Sequence, residues 1–114
     1  MFEIILGLML ALAPVQDIDS GEWHDAGTYR ITTYCQYCNE PAGKGSASGK
    51  ELAYGDVAMN GVPLGTEISI EGETFTVVDR CGIENTVDIF VENDSGQCQC
   101  NLLEHKEVCI HERP

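Results

Sequence analysis

The sequence predicts an all-β domain, either a small closed barrel or a sandwich. Three observations support this fold class. Short runs rich in β-branched and aromatic residues recur along the chain, the run at 67–79 alternates between apolar and polar residues, and turn-forming residues separate the runs. A chain of 114 residues has room for one compact domain with a modest core.

The predicted strands follow one another from Thr28 onward. The first is TYRITTY, and a long loop rich in glycine and serine comes after it. A strand is predicted at VAMN, two more at EISI and TFTVVD on either side of a hairpin turn at Glu71-Gly72-Glu73, and further strands at NTVDIFV and VCIH. The stretch LLEHKE before the last strand is predicted to form one helical turn.

Charge limits the range of partners. The chain has 6 basic and 19 acidic side chains and a formal net charge of -13. This charge opposes attraction to nucleic acid or to an anionic membrane surface. We therefore expect no nucleic-acid partner, although most of this charge is typical of a solvated surface.

The N-terminal residues have the pattern of an export signal. An apolar run from Ile4 to Ala13 is too short to span a bilayer, and Ala11-Leu12-Ala13 fits a small-x-small cleavage site. Residues 1–20 are predicted as a signal peptide or short hydrophobic leader and residues 21–27 as a polar linker. Glu3 and Pro14 do not fit that pattern, and the alternative is a buried segment of a cytoplasmic protein. We expect a secreted or cell-wall-associated monomer without a stable membrane span.

The six cysteines favour disulfides. An even number in a short acidic chain is typical of an exported protein stabilised by cross-links, and fifteen pairings are possible. In an extended segment Cys98 and Cys100 project from one face, so we expect them to bond different partners. The alternative is a structural zinc site, with ligands drawn from Cys35, Cys38, Cys98, Cys100, His105, Cys109 and His111. The single residue between Cys98 and Cys100 is less usual for zinc, and we expect no metal and no cofactor.

Two aspartates lie in or beside apolar runs. Asp79 ends TFTVVD, and Asp88 interrupts TVDIFV. Burial raises the pKa of a carboxyl group, and a second carboxylate nearby raises it further, which suits a general acid near neutral pH. Cleavage of a glycosidic bond needs such an acid. The structural alternatives are that Asp79 pairs with Arg80 or caps a loop, and that Asp88 points to solvent or bonds to backbone amides.

The order of these motifs resembles the 3D (three-aspartate) domain. The similarity rests on YRITTY followed by cysteines, then SASG, then GDVAMNGVPLGTEISIEGETFTVVDRCGIENTVDIFV, and it covers residues 28–111. Members are related to the membrane-bound lytic transglycosylase A and to stationary-phase muralytic factors of Gram-positive bacteria. The resemblance implies a small six-stranded double-psi β-barrel at 28–114, with one or two short helical turns and disulfides.

The resemblance also implies a function. Asp88 corresponds to the family's catalytic acid/base and Asp79 to a supporting aspartate. Asn60 stands where the first aspartate is usual, and its amide is expected to bind substrate by hydrogen-bonding a sugar hydroxyl, or to bond a neighbouring carboxylate. Ser48 and Gly49 correspond to a cleft-lining element, and Tyr34 is expected to stack on substrate or to pack in the barrel. The expected activity is lytic transglycosylase cleavage of peptidoglycan between N-acetylmuramic acid and N-acetylglucosamine, and a phage-encoded lysis protein would fit it.

Two other classes of function remain open from the sequence. One is a non-catalytic expansin-like or barwin-like barrel that binds wall polysaccharide, since a fold alone does not establish activity. The other is a disulfide-stapled interaction module. The enzymatic interpretation predicts that Asp79 and Asp88 converge on one site near Ser48 and Tyr34. The interaction-module interpretation predicts that the two aspartates lie apart or face solvent.

Overall fold

The computed structural model describes residues 22–39, 41–98 and 101–112, and the predicted leader lies outside these ranges. The described residues form six strands: β1 (Glu22–Tyr34), β2 (Asp56–Ala58), β3 (Glu67–Ile70), β4 (Glu73–Asp79), β5 (Thr86–Phe90) and β6 (Leu102–Glu112). They contain no helix, so the all-β prediction is confirmed. The helical turn predicted at LLEHKE is wrong, because these residues belong to β6 and pair with β1.

The six strands close into a barrel in the order β1-β5-β2-β4-β3-β6, with β6 pairing back to β1. The pairs β1/β5 and β2/β4 are parallel, and the other four pairs are antiparallel. Among the six described strands, closure leaves no unpaired sheet edge, which protects a small β-domain from edge-to-edge association. The barrel alternative is thus confirmed over the sandwich. Across the described ranges, no helix is long and apolar enough to cross a membrane.

β1 begins earlier than its sequence suggests. Residues 22–27, expected to be a linker, pair with the end of β6 from Glu22 opposite Glu112 onward. Most of these side chains are exposed, so neither face of this part of the strand requires apolar residues. The register shifts beside Gly27, whose φ of 99° gives the left-handed backbone that favours glycine at a bulge.

The hairpin between β3 and β4 has the predicted turn. Glu71 and Gly72 form the two-residue connection, with φ values of 52° and 84°. Two positive φ angles in a two-residue loop match the twist of the flanking strands. The hairpin prediction is therefore confirmed.

Two clusters of buried apolar residues lie on the two faces of the barrel wall. The first receives residues from all six strands and fills the barrel; it comprises Ile31, Val57, Met59, Ile68, Ile70, Phe75, Val77, Val87, Ile89 and Val108. The second lies outside the wall and comprises Tyr34, Leu52, Ala58, Val78 and Phe90. Val87 and Ile89 belong to the first cluster and Phe90 to the second, so β5 is covered on both faces. This explains the nearly continuous apolar sequence of β5.

A disulfide joins Cys38 to Cys98 across 60 residues of sequence, as the prediction of cross-links requires. It links the turn that follows β1 to the segment that follows β5. Cys100 lies outside the described residues. Closing a loop of this length restricts the unfolded chain and so stabilises the folded state.

We expect Phe90→Ala to lower the free energy of unfolding by about 3–5 kcal/mol, because the substitution leaves a cavity in the second cluster. The ring of Phe90 is 0% exposed. The matched control is Ile83→Ala, since Ile83 is 52% exposed and its truncation should cost less than about 0.5 kcal/mol. Urea unfolding measures both values, and equal losses would contradict the proposed packing.

Candidate active site

The strand register brings the two predicted catalytic aspartates to one region of the barrel wall. Asp88 is opposite Thr32 on β1 and opposite Ala58 on β2. Ala58 is in turn opposite Asp79 on β4, after a bulge in β2. The two aspartates therefore flank Ala58 and are about 10 Å apart at Cα, which is two strand spacings. Ala58 itself is buried and packs with Tyr34, Val78 and Phe90.

Asp88 is partly buried on the face of β5 that also holds Phe90. Its Oδ1 accepts a hydrogen bond of 2.9 Å from the Thr32 hydroxyl. Burial raises the pKa of Asp88, the Thr32 hydrogen bond and the Arg30 charge oppose this rise, and the Asp79 charge adds to it. Because the pKa is raised overall, Asp88 keeps its proton to higher pH than an ordinary aspartate, as a general acid must.

Asp79 accepts three hydrogen bonds. Its Oδ1 receives the backbone N–H groups of Ala47 at 3.0 Å and Arg80 at 2.9 Å, and its Oδ2 receives the Tyr34 hydroxyl at 3.3 Å. The Arg80 guanidinium instead donates from Nη1 to the carbonyl groups of Met59 and Val62. Asp79 thus has a fixed position, with its carboxyl group held by β1, the long loop and its own chain neighbour.

Tyr34 ends β1 and joins the second core cluster to the aspartates. Its ring packs edge-on against Phe90, with 5.4 Å between ring centroids, and the residue is 6% exposed. This environment favours barrel packing over substrate stacking for the ring. Burial, followed by the charge of Asp79, raises the pKa of Tyr34 far above its ordinary value. The phenol therefore stays protonated and donates its hydrogen bond to Asp79.

The loop that contains Ser48 and Gly49 docks beside Asp79. The Ser48 backbone N–H donates to the carbonyl group of Val78 at 3.0 Å, one residue before Asp79. The Ser48 hydroxyl shares a hydrogen bond with that of Ser46, and it accepts one from the Lys50 backbone. Ser48 and Gly49 are both exposed, so they form the solvent side of the site next to Asp79.

Asn60 lies in the connection after β2 and is bonded to the chain segment that follows Asp79. Its Nδ2 donates to the Cys81 carbonyl at 2.6 Å, and its Oδ1 accepts from the Cys81 N–H at 3.1 Å. An aspartate could accept from the N–H but could not donate to the carbonyl. The amide at position 60 is therefore matched to its local partner, and Asn60 orders the loop beside the site.

Sequence reasoning missed Thr32, Arg30 and Cys81. The charges of Arg30 and Asp79 both affect the pKa of Asp88. The same two charges, together with that of Asp88, affect the pKa of Cys81, so all four groups belong to one electrostatic environment. Burial is the main cause of the raised pKa of the Cys81 thiol. Thr32 contacts Asp88 across 56 residues of sequence, and no local pattern reveals a parallel strand pair of that separation.

A third carboxylate, Asp56, has a structural role. It is 5% exposed, and its Oδ2 accepts from Lys50 Nζ at 2.6 Å and from the Ala53 N–H at 2.9 Å. These bonds fold the end of the long loop onto β2. A cavity of about 600 Å³ lies elsewhere, and its lining includes Pro63 and Ile110 but none of the six predicted site residues.

The structure thus brings Asp88, Asp79, Tyr34 and the Ser48-Gly49 loop together, and it places Asn60 on the adjoining segment. Comparisons of the chain with protein-family models, with curated proteins and with solved structures gave no match. The chemistry of the site is therefore inferred from its own geometry and from the motifs of the sequence.

We expect Thr32→Val to raise the pKa of Asp88 further. The Thr32 hydroxyl stabilises the carboxylate, and valine removes that hydrogen bond while keeping a similar shape. Carbon-13 NMR titration of the aspartate carboxyl groups measures the change. Thr28→Val, at an exposed position of β1, is the matched control and should leave the titration of Asp88 unchanged. A lower pKa in Thr32→Val would contradict the assigned hydrogen bond.

We expect Asp88→Asn to stabilise the folded protein at about pH 7 but not at about pH 3. Because the pKa of Asp88 is raised on folding, the folded state holds the proton longer than the unfolded state. The contribution of Asp88 to the stability of the wild-type protein therefore falls as pH rises from the pKa of Asp88 in the unfolded state through its pKa in the folded state. Asparagine removes this loss and retains the oxygen that accepts from Thr32. Urea unfolding of both proteins at each pH tests this, and a gain of the same size at both would count against it.

Proposed function

We propose that this chain cleaves peptidoglycan glycan strands as a lytic transglycosylase, with Asp88 as acid/base and Asp79 in support. The observation behind the proposal is the pairing of a partly buried Asp88 of raised pKa with an Asp79 held by three donors. The sequence resemblance to the 3D domain supplies the substrate class. The closed barrel with parallel β1/β5 and β2/β4 pairs fits the double-psi topology that we propose with it.

The two aspartates have environments suited to different roles. Within the described ranges, Asp88 accepts one side-chain hydrogen bond, from Thr32, and burial raises its pKa. Asp79 is fixed by Tyr34 and two backbone N–H groups, so its charge is positioned and its oxygens are already engaged. Two carboxyl groups with unlike environments are the usual basis for separate acid and charge-stabilising roles.

In the proposed reaction, protonated Asp88 gives its proton to the oxygen that bridges N-acetylmuramic acid and N-acetylglucosamine. The bond from that oxygen to C1 of the muramic sugar breaks, and positive charge develops at the ring, where the Asp79 carboxylate stabilises it. The C6 hydroxyl then bonds to C1, and the Asp88 carboxylate takes the hydroxyl proton. The product is a 1,6-anhydro sugar, no water is consumed, and Asp88 ends protonated as it began.

A second candidate is a non-catalytic barrel that binds wall polysaccharide. The observation that favours it is Asn60, which occupies the position of the family's first aspartate and has its amide engaged by Cys81. The exposed Ser48-Gly49 loop beside Asp79 would then bind sugar without cleaving it. For either function we propose an exported monomer that acts at the cell wall, from a Gram-positive bacterium or a phage that lyses one.

The test is mass spectrometry of soluble products released from purified peptidoglycan by the oxidised protein. We expect anhydromuropeptides from wild type and at least about a 100-fold slower release by Asp88→Asn, since general acid/base catalysis contributes about 10²–10⁴-fold. The matched control is Asp25→Asn, because Asp25 is exposed on β1 and its asparagine keeps the oxygen that accepts from the Gly27 N–H. This control should release products at the wild-type rate.

Cosedimentation with the same peptidoglycan separates the two candidates. Release by wild type that is lost in Asp88→Asn supports the transglycosylase. Sedimentation of both proteins without release by either supports the binding barrel. If neither protein releases products and neither sediments with the peptidoglycan, both candidate functions are overturned, provided that circular dichroism shows the same folded spectrum for each protein.

A further inference from the structure

Three cysteine sulfurs form a cluster at the end of the barrel. The Sγ atoms of Cys35, Cys38 and Cys98 all lie within 4.8 Å of one another, and those of Cys35 and Cys38 are 3.4 Å apart. Cys35 is buried, Cys38 is partly buried and Cys98 is exposed. The aspartate chemistry proposed above uses none of these sulfur atoms.

The cluster is assembled by contacts other than the disulfide. The Cys38 N–H donates to the Cys35 carbonyl at 3.1 Å, and this turn brings the two sulfurs of the Cys-x-x-Cys motif together. Gln36 Nε2 donates to the Asn93 carbonyl at 2.7 Å, and the Asn93 N–H donates back to Gln36 Oε1 at 3.1 Å. These bonds join the turn after β1 to the segment after β5 independently of the disulfide, so we expect the two segments to stay together in the reduced chain.

The segment that leads to Cys98 is also internally bonded. Asn93 Oδ1 accepts from both the backbone N–H and the hydroxyl of Ser95, at 2.9 and 2.8 Å. The Gln97 N–H donates to the Ser95 hydroxyl at 3.1 Å. A short loop held in this way delivers Cys98 to the cluster with little freedom, which lowers the entropy that a ligand must overcome.

We propose that the thiolates of Cys35, Cys38 and Cys98 form a binding site for zinc, or a similar thiophilic divalent cation, in the reduced chain. Tetrahedral zinc with sulfur ligands at about 2.3 Å places its sulfurs about 3.8 Å apart. The 3.4 Å between the sulfurs of Cys35 and Cys38 is close to this value, and all three sulfurs lie within 4.8 Å of one another. In the reduced chain Cys38 and Cys98 can separate from bonding distance, and water or another donor completes the coordination.

The metal and the disulfide exclude each other. Reduction adds two electrons and two protons to the Cys38–Cys98 bond and yields two thiols, and an external phosphine or dithiol reductant supplies the electrons. Zinc binding then releases thiol protons to solvent. Bound zinc should therefore slow oxidation of this pair, and oxidation should expel the metal.

The test titrates reduced, metal-free protein with Co²⁺ and then with Zn²⁺ in the presence of a phosphine reductant. We expect one equivalent of cobalt with a thiolate charge-transfer band, displacement of cobalt by zinc, and no displacement by Mg²⁺. Cys35→Ser and Cys98→Ser should each weaken binding by about tenfold or more. Cys109→Ser is the matched control, because Cys109 lies on β6 outside the cluster, and it should bind as wild type does.

Because Cys35 is buried, Cys35→Ser can lose metal binding simply by failing to fold. Cys98 is exposed, so Cys98→Ser tests the loss of one metal ligand without that complication. Circular dichroism of each reduced protein identifies the folded samples, and folding that appears only when zinc is added supports the proposal. Folded, reduced wild type without a cobalt band would overturn it. An equal loss of metal affinity in Cys98→Ser and Cys109→Ser would overturn the proposal as well. The readout is the metal, so this result is independent of whether peptidoglycan is cleaved.

Discussion

The parallel pairing of β1 with β5 is the contact on which both the outer core and the candidate site depend. Its register places Thr32 beside Asp88 and Tyr34 beside Phe90. In the first pair, the Thr32 hydroxyl bonds Asp88 and partly offsets the rise in its pKa. In the second pair, Phe90 packs against the Tyr34 ring, whose hydroxyl bonds Asp79. Since side chains alternate along a strand, a slip of one residue would turn Asp88 into the barrel interior and Val87 outward.

Local patterns in the sequence predicted what depends on neighbouring residues. The β3/β4 hairpin follows from alternation and Glu71-Gly72, and Asp88 was recognised because a carboxyl group is rare in an apolar strand. The early start of β1 and the true nature of LLEHKE were missed, because polar strand residues on an exposed face have no periodic signal. Thr32 was missed for a different reason, since its role arises only from a pairing across 56 residues.

Asn60 shows how the fold restricts the chemistry available at the site. The Cys81 segment presents one donor and one acceptor to position 60, and an amide satisfies both. A carboxylate there would face the Cys81 carbonyl without a proton to donate, and a buried acceptor without a partner is costly. The amide therefore fixes the segment directly after Asp79. The proposed reaction needs one carboxyl group that acts as acid and then as base, so it does not require a carboxylate at position 60.

The cysteine cluster and the aspartates both contact the second core cluster. Cys38 and Cys81 both pack against this cluster, and Tyr34 belongs to it. The Tyr34 carbonyl also accepts a hydrogen bond from the N–H of Val91, the residue that precedes the segment leading to Cys98. Its hydroxyl, at the other end of the residue, is bonded to Asp79. Cys38 and Asp79 therefore both contact the second core cluster, Cys38 by packing against it and Asp79 through the Tyr34 hydroxyl.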